Sequence, residues 1–207
     1  MSVGDRTAED HGGSQVRTVL GIAGSPRRDG NSETLLDWCL EGAERAGARV
    51  VKFRLRELKL RGCVACDGCF DAGFCVQQDD MQELYPHLRS AESVVLASPI
   101  YSMGMAAQPK AMVDRCQPFW AIKYVLRRQV WGDGRPERRG AFLCCSGTTL
   151  DRVFEGALQV SNYFFHVLEA AVVGEVLVPG VDAKGDIEKH PQARDEAGEV
   201  GRLLAAE

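Results

Sequence analysis

The sequence has 207 residues, of which 45% are hydrophobic and 26% are charged, and its formal net charge at pH 7 is -4. These values are typical of a single globular domain and argue against a generic nucleic-acid-binding protein, which is normally basic. No apolar run approaches the roughly 18 residues that a membrane-spanning helix requires, so we expect no membrane partner.

The N-terminal stretch MSVGDRTAEDHGGSQV is polar and lacks the apolar centre of a secretory signal. We therefore expect residues 1–17 to form a flexible tail and residues 18–207 to form one domain. With no export signal, the expected location is the cytoplasm. Structural disulfides are rare there, and clustered thiols more often bind metal or carry out redox chemistry.

Short apolar runs, rich in Val, Leu and Ile, alternate with segments of helical periodicity. Most of the runs are apolar on both faces, which is typical of parallel strands covered by helices. Pro109 falls in the first turn of a predicted helix, where proline is tolerated, whereas Pro86 is expected to disturb a second turn. In chain order the predicted elements are a strand at 18–25, a helix around 35–43, a strand at 49–55, a helix at 80–91, a strand at 93–99, a helix at 109–118, a strand at 140–147, a helix at 150–170, a strand at 172–179 and a helix at 191–206.

This alternation predicts an α/β fold, a three-layer sandwich with a five-stranded parallel sheet. A flavodoxin-like strand order of 2-1-3-4-5 fits five such strands. Two stretches interrupt the alternation: a cysteine-rich insertion at 60–80 and the basic stretch YVLRRQVWGDGRPERRG at 124–140. We interpret the basic stretch as a solvated loop or a partner-facing arm.

A turn suited to holding an anion follows the first strand, in the sequence GIAGSPRRDGNSETLL. Gly24 and Gly30 free the backbone there, and Arg27 supplies positive charge beside Arg28. The start of the next helix offers N–H groups at the favourable end of the helix dipole. Side-chain donors are expected from Ser25, Asn31, Ser32 and Thr34. The alternative is an ordinary polar turn between a strand and a helix.

The next two strand ends supply loops that could border a flat ring. In open α/β sheets, ligands bind at the carboxyl ends of the strands, where the strand order reverses. Together with the phosphate-type turn, these loops suit a nucleotide-like ligand with a flat ring, and FMN fits. The first loop, in SPIYSMGM, contributes Pro99, Ile100, Tyr101, Ser102 and Met103, and the second, in SGTTL, contributes Ser146, Gly147 and Thr148.

Four of the eight cysteines lie in the stretch RGCVACDGCFDAGFCVQQDDM, with the spacing C-x2-C-x2-C-x5-C. They are Cys63, Cys66, Cys69 and Cys75. Soft thiolates suit an iron–sulfur cluster or zinc, but zinc sites usually consist of two separated pairs. Thiol redox chemistry and a purely structural loop are further alternatives. The other four cysteines, Cys39, Cys116, Cys144 and Cys145, fall on predicted core faces, where we expect small buried hydrophobic residues.

Three stretches resemble the signatures of flavodoxin-like NADPH-dependent FMN reductases: GSPRRDGNSETLL, ASPIYSMGMAAQPKAMVDR and GVDAKGDIEKHPQA. The cysteine spacing followed by Asp79-Asp80-Met81 resembles the iron–sulfur flavoprotein subgroup, whose compact cysteine motif ligates a [4Fe–4S] cluster beside FMN. The resemblance implies that Ser25, Arg27, Asn31, Ser32 and Thr34 hold the FMN phosphate. It also implies that 99–103 and 146–148 border the isoalloxazine ring.

The resulting prediction is an FMN-dependent electron-transfer oxidoreductase in which Cys63, Cys66, Cys69 and Cys75 hold a [4Fe–4S] cluster. No catalytic side chain is predicted, because a flavin performs hydride and single-electron chemistry itself. Asp79 and Asp80 are interpreted as helix-start residues. The alternatives are an NAD(P)H-dependent FMN or quinone reductase without a cluster, and a non-catalytic thiol redox sensor.

The expected electron donor is NAD(P)H or a ferredoxin-like protein, and the acceptor is a small molecule or a protein. We also expect a homodimer or homotetramer. The sequences SMGM and QPFWAIKY predict an apolar patch of Met103, Met105, Phe119 and Trp120 near the flavin edge, and such patches usually mark an interface.

Overall fold

The computed structural model describes residues 16–206. Most of the predicted N-terminal tail, residues 1–15, lies outside the described residues. The strands are β1 (Thr18–Ala23), β2 (Arg49–Arg54), β3 (Ser93–Tyr101), β4 (Gly104–Met105), β5 (Arg139–Cys145) and β6 (Ala171–Val178). The α-helices are α1 (Asn31–Arg45), α2 (Met81–Ser90), α3 (Ala107–Asp114), α4 (Gln117–Trp120), α5 (Glu155–Val167) and α6 (Pro191–Ala205). Short 3-10 helices span Leu55–Glu57 and Asp186–Lys189, and a π-helical turn spans Ala121–Val125.

Five strands pair in parallel in the order β2-β1-β3-β5-β6. This is the predicted flavodoxin-like order for the long strands. The sheet differs from the prediction by one short strand, β4, which pairs antiparallel with the end of β3 through Ile100 and Met105. A two-residue strand leaves too short a pattern in the sequence to be recognised.

Helices cover both faces of the sheet, as the apolar strands require. Successive residues of β1 alternate between the two cores: Leu20 and Ile22 pack on one side and Val19 on the other. The first core contains residues of α2, α3, α4 and α5, and the second contains residues of α1 and α6. The three layers are therefore a helix layer, the sheet and a second helix layer.

The helices α1 and α6 approach each other unusually closely. A Cβ atom built on Gly201 would lie 1.9 Å from the carbonyl oxygen of Cys39, so no larger residue fits at that crossing. Helix α2 continues through Pro86, so the expected disturbance of its second turn is not observed. The predicted helix at 109–118 is instead two helices, α3 and α4, followed by the π-helical turn.

The basic stretch at 124–140 is only partly a solvated loop. Arg138 is buried, and its guanidinium donates to the carbonyl oxygens of Leu168 at 2.9 Å and Leu88 at 2.5 Å. Arg138 and Arg135 both lie over the ring of Trp131, with guanidinium-to-ring distances of 4.6 and 3.7 Å. Trp131 and Arg138 are therefore buried although residues 132–137 between them are exposed, which charge counting alone does not reveal.

The predicted apolar patch is also smaller than expected. Phe119 is fully buried in the first core and Met105 is 9% exposed, because α4 turns inward. Trp120 is partly buried, and Met103 remains 46% exposed. Within residues 16–206, no helix is long and apolar enough to cross a membrane.

Candidate functional site

The loops predicted to bind a ligand meet at the carboxyl edge of the sheet, where the strand order reverses between β1 and β3. They enclose a cavity of about 70 Å³. The cavity is lined by Ser25, Arg27, Gly30, Asn31, Ser32, Pro99, Ile100, Tyr101, Cys145, Gly147, Val181 and Asp182. Most of the predicted residues therefore come together. Among the predicted residues, Thr34, Ser102, Met103, Ser146 and Thr148 do not line the cavity.

The turn between β1 and α1, residues 24–32, forms the floor of this cavity and is called the cradle below. A Cβ atom on Gly24 would lie 2.6 Å from the carbonyl oxygen of Ala97, so the close approach of the cradle to β3 requires glycine. The hydroxyl of Ser25 accepts from the Arg27 N–H and donates to the Arg27 carbonyl oxygen, both at 3.1 Å. These bonds fix the shape of the turn.

Ser32 is the residue of the cradle that most clearly indicates an anion site. Its side chain is 2% exposed, yet its Oγ atom has no hydrogen-bond partner in the described chain. A buried hydroxyl without a partner is unfavourable. Ser32 stands in the first turn of α1, where backbone N–H groups also lack intrahelical partners. An anion such as the FMN phosphate would satisfy these donors, so the cradle fits the cofactor.

Asn31, predicted to bind the phosphate, also binds the backbone of the loop after β6. Its side chain donates to the carbonyl oxygen of Ala183 at 2.8 Å and accepts from the N–H groups of Gly185 at 2.9 Å and Ile187 at 3.4 Å. Arg27 donates to the carbonyl oxygen of Asp182 at 3.0 Å. The loop after β6 is thereby fastened to the cradle. Sequence reasoning gave this loop no role at the site.

A cluster of buried charges around Glu33 lies next to the cradle. It was not predicted from the sequence. Glu33 is 2% exposed and forms ion pairs with Lys52 at 3.0 Å, Arg54 at 2.7 Å and Arg56 at 2.5 Å, and it accepts the Asp29 N–H at 3.2 Å. Burial raises the pKa of this carboxyl, but the bonds from its cations lower it more, so the pKa falls to about 2. Lys52 and Arg54 alternate with other residues along β2, and this pattern could have indicated a buried acidic partner.

The hairpin between β3 and β4 carries backbone strain. Ser102 and Met103 both have positive φ angles, 50° and 63°. A two-residue turn of this type requires such angles, which residues other than glycine seldom adopt. Tyr101 and Met103 are about half exposed, at 48% and 46%. Strained residues of this kind often cluster at functional sites.

The loop after β5 has a rigid start. Ser146 is buried, and its hydroxyl accepts the Thr148 N–H at 3.2 Å. A Cβ atom on Gly147 would lie 2.8 Å from Asp182 Oδ1, so the loop after β5 meets the loop after β6 at the cavity. Ser146 and Thr148 therefore do not line the cavity, but their hydrogen bond shapes the loop that contains Gly147.

The four clustered cysteines line a second, larger cavity of about 270 Å³. Cys63 and Cys66 are exposed, and Cys69 and Cys75 are partly buried. The cavity is also lined by Phe70 and Val76, and by Asp114, Arg115, Gln117 and Pro118 around the start of α4. In the described chain, no group of three or more His, Cys, Asp and Glu side chains lies close enough together to hold a metal ion. The four thiols line one cavity, but they are too far apart to bind a single metal ion in this conformation.

The backbone of this cysteine loop, residues 61–79, is irregular. Ala65 and Asp67 have positive φ angles of 50° and 55°, one in each of the two short gaps of the motif. These values lie in the left-handed region, which residues other than glycine seldom adopt. Burial raises the pKa of the Cys69 thiol, the other thiols of the loop adding to the effect.

Asp79 and Asp80 begin helix α2, as predicted. Asp79 Oδ1 accepts the Met81 N–H at 3.1 Å, and Asp80 Oδ2 accepts the Lys59 N–H at 2.7 Å. Asp79 also forms a buried ion pair with Arg115, which sequence reasoning missed. Burial raises the pKa of Asp79, but hydrogen bonds from Arg115 and from the Arg61 N–H lower it more, so the pKa is below its usual value.

The remaining four cysteines are all buried, as expected. Burial raises the pKa of Cys39 and of Cys145 to about 12, and it also raises the pKa values of Cys116 and Cys144. These thiols are protonated at neutral pH and behave as small hydrophobic residues.

A flavodoxin-like sheet with a phosphate-type cradle at its switch point defines a class of nucleotide-binding flavoproteins. Within that class, residues 17–180 match the NADPH-dependent FMN reductase family. The chain belongs to this family and is an FMN-dependent oxidoreductase. The family's description implies a nicotinamide electron donor.

Individual relatives agree with this assignment. The chain is 32% identical over 184 residues to an iron–sulfur flavoprotein of Archaeoglobus fulgidus, covering 84% of this chain and 76% of that protein. It is 31% identical over 157 residues to an iron–sulfur flavoprotein of Methanosarcina thermophila, covering 76% and 77%. Among solved structures, the NAD(P)H:quinone oxidoreductase from Methanothermobacter marburgensis superposes with a TM-score of 0.70 at 19% identity, covering 93% of this chain and 99% of that chain. This last likeness shows the fold.

Proposed function

We propose that this FMN-dependent oxidoreductase is an electron-transfer flavoprotein with a second redox centre, a [4Fe–4S] cluster held by Cys63, Cys66, Cys69 and Cys75. The observation that carries the proposal is that these four thiols, and no other cysteines, line one cavity of about 270 Å³. The names of the two relatives described above support it.

For FMN, we propose that the cradle holds the phosphate through Ser25 and Ser32, with Arg27 and Asn31 at its rim. Thr34 lies outside the cavity, and its hydroxyl contacts the carbonyl oxygen of Gly30 at 3.4 Å, so its predicted contribution is indirect. The ring would lie against the loops after β3 and β5, where the predicted residues Pro99, Ile100, Tyr101 and Gly147 line the cavity. The other predicted residues, Ser102, Met103, Ser146 and Thr148, lie outside it, and we propose only an indirect contribution from them. When bound, FMN supplies hydride and single-electron chemistry, and the chain binds and orients it.

For the cluster, the donor set fits. Thiolates are the ligands of iron–sulfur clusters, and four are required for a [4Fe–4S] centre. Cys63 and Cys66 are exposed, and binding of a cluster would require them to move toward Cys69 and Cys75. The cluster would add single-electron capacity.

The electron donor and acceptor follow from this proposal. The electron donor would be NAD(P)H, which suits a flavin, or a ferredoxin-like protein, which suits a cluster. The electron acceptor would be a small molecule or a protein. We also propose a homodimer or homotetramer, because Tyr101, Met103 and Leu150 leave apolar surface exposed beside the cavity. Light scattering tests the assembly, and a 22.6 kDa particle at micromolar concentration would contradict it. The cytoplasmic location stays a prediction.

The decisive experiment is purification without oxygen, followed by an absorption spectrum and by iron, sulfide and flavin counts per chain. We expect FMN as the heat-released flavin, with about four iron and four sulfide per chain. Mainly FAD would contradict the monophosphate-sized cradle. Protein with full FMN but neither iron nor sulfide would contradict the cluster.

The second candidate is an NAD(P)H-dependent FMN or quinone reductase without a cluster. The spread of the thiols, which form no ion-sized group among residues 16–206, favours it. The same iron and sulfide counts separate the two candidates, and zinc in place of iron would indicate a structural metal.

A further inference from the structure

One carboxylate fastens both ends of the cysteine loop. Asp79 Oδ2 accepts the N–H of Arg61, at the start of the loop, at 3.0 Å. Asp79 Oδ1 accepts the N–H of Met81, just past its end, at 3.1 Å. The segment between them carries all four clustered cysteines. Asp79 therefore closes the loop at its base.

Arg115, at the C-terminal end of α3 in the same helix layer as α2, holds this carboxylate. Its guanidinium donates to Asp79 Oδ2 at 2.6 Å and to Asp79 Oδ1 at 3.0 Å, and it donates to the Arg61 carbonyl oxygen at 3.0 Å. The two side chains are 1% and 5% exposed. Bidentate, charge-assisted bonds of this kind fix orientation as well as distance.

Arg115 also faces the thiols. It lines the cysteine cavity, and it lies close enough to the Cys75 side chain for the two groups to interact. Its Nε atom is buried without a hydrogen-bond partner in the described chain. A buried donor without a partner is unfavourable unless a ligand completes it. A sulfur atom bound in this cavity is such an acceptor.

We propose that Asp79 and Arg115 are positioning residues for the cysteine site. Their ion pair clamps the base of the loop so that the four thiols face one cavity, and Arg115 presents a buried positive charge beside Cys75. The inference rests on the proposed cluster. Neither residue ligates iron, and each acts through the loop and through its charge.

The test measures iron release from full-length protein, purified without oxygen, to a ferrous chelator. Asp79→Asn keeps the size of the side chain but removes the charge that Arg115 requires, so we expect release at least tenfold faster than from wild type with FMN content unchanged. Arg61→Pro removes the backbone N–H that Asp79 accepts but keeps both side chains of the buried pair, and we expect a smaller acceleration. Arg202→Gln is the control, because it breaks an exposed ion pair on helix α6, in the other helix layer, and leaves release unchanged.

A second measurement separates this role from a general loss of stability. Redox titration of the cluster should give a lower midpoint potential in Arg115→Gln and a higher one in Asp79→Asn, because the two changes remove opposite charges beside the site. A tenfold change in the relative affinity of the two oxidation states corresponds to 59 mV. A merely structural role predicts no such opposite shifts.

The outcomes distinguish failure of the proposed clamp from failure of the proposed cluster. Iron release within twofold of wild type in both Asp79→Asn and Arg61→Pro would overturn the clamp and leave the cluster standing. The absence of iron from wild-type protein made without oxygen would overturn the cluster and the clamp together.

Discussion

The cradle and the cysteine loop both lie between a strand and the following helix, yet the chain holds them differently. The cradle is a short turn whose shape is fixed by its own hydrogen bonds, by the loop after β6 and by the Glu33 charge cluster. The cysteine loop is longer and mostly exposed. It is held at its base by Asp79 and farther along by Arg89, which donates to the Gly73 carbonyl oxygen at 2.7 Å, and by Gln82, which donates to the Cys75 carbonyl oxygen at 3.1 Å. One region is a compact turn bonded within itself, whereas the other is a long and largely exposed loop held at separate points.

This difference has a thermodynamic meaning. A ligand that enters a preformed site loses little free energy to ordering the protein, whereas a ligand that draws an open loop together opposes the loop's conformational entropy. We therefore expect FMN binding to be insensitive to changes in the cysteine loop, and the stability of the loop to depend on its ligand. The following predictions test that separation.

The largest expected effect is the loss of the cluster in Cys66→Ser, because a hydroxyl is a poor substitute for a soft thiolate ligand. Iron and sulfide per chain should fall to near zero, and FMN per chain should stay at the wild-type value. Val64→Ala, at an exposed position in the same loop, is the control and should retain iron. Loss of FMN together with iron in Cys66→Ser would show that the two regions depend on each other.

Glu33→Gln tests how strongly the cradle is supported. The variant leaves three cations without their buried partner, so we expect a loss of about 3 kcal/mol in the free energy of unfolding at pH 7. The pKa of Glu33 is lowered from 4.5 to about 2, so its contribution is complete above pH 4.5 and disappears as the pH falls to about 2.

Urea unfolding at pH 7 and at pH values down to 2 measures this difference. The gap between wild type and Glu33→Gln should shrink steadily below pH 4.5. Glu57→Gln is a suitable control, because Glu57 is half exposed and pairs with Arg56 at 3.4 Å, an arrangement worth less than about 1 kcal/mol. A gap that persists at pH 2 would mean that the effect of Glu33 is not electrostatic.

The sequence predicted the regular elements well and the tertiary polar contacts poorly. All five long strands and their order were confirmed, because strands that are buried on both faces leave continuous apolar runs. Ser25 and Ser32, which line the cavity, could be predicted as candidates because they lie within the turn itself. Arg115 and Asp79 are 36 residues apart, and no local pattern indicates that they pair. The burial of Arg138 was missed for the same reason.

Ser32→Ala should change two properties in opposite directions. Without FMN, the variant should be more stable than wild type by about 1 kcal/mol, because a buried hydroxyl without a partner is removed. With FMN, binding should weaken by about 2 kcal/mol, since a hydrogen bond to a charged group is lost. Thermal unfolding of the flavin-free protein and fluorescence titration with FMN measure the two effects.

Thr34→Ala is the matched control for Ser32→Ala, because Thr34 lies on the same helix turn but outside the cavity. Its FMN affinity should stay within about twofold of wild type. An equal loss of affinity in both variants would restore Thr34 as a direct phosphate ligand, as the sequence alone implied.

The smallest expected effect concerns the strained hairpin after β3, and it asks whether the preformed region extends beyond the cradle. Replacing Ser102 and Met103 by Asn and Gly supplies the residues that tolerate two positive φ angles, so we expect a gain of about 1 kcal/mol in stability. Arg127→Gly, at an exposed position with a φ of 52°, is the matched control for relief of strain elsewhere. Because Met103 does not line the cavity, FMN affinity should be unchanged. A weaker affinity in the hairpin variant alone would mean that Met103 contacts the flavin ring, and that the strain holds it there.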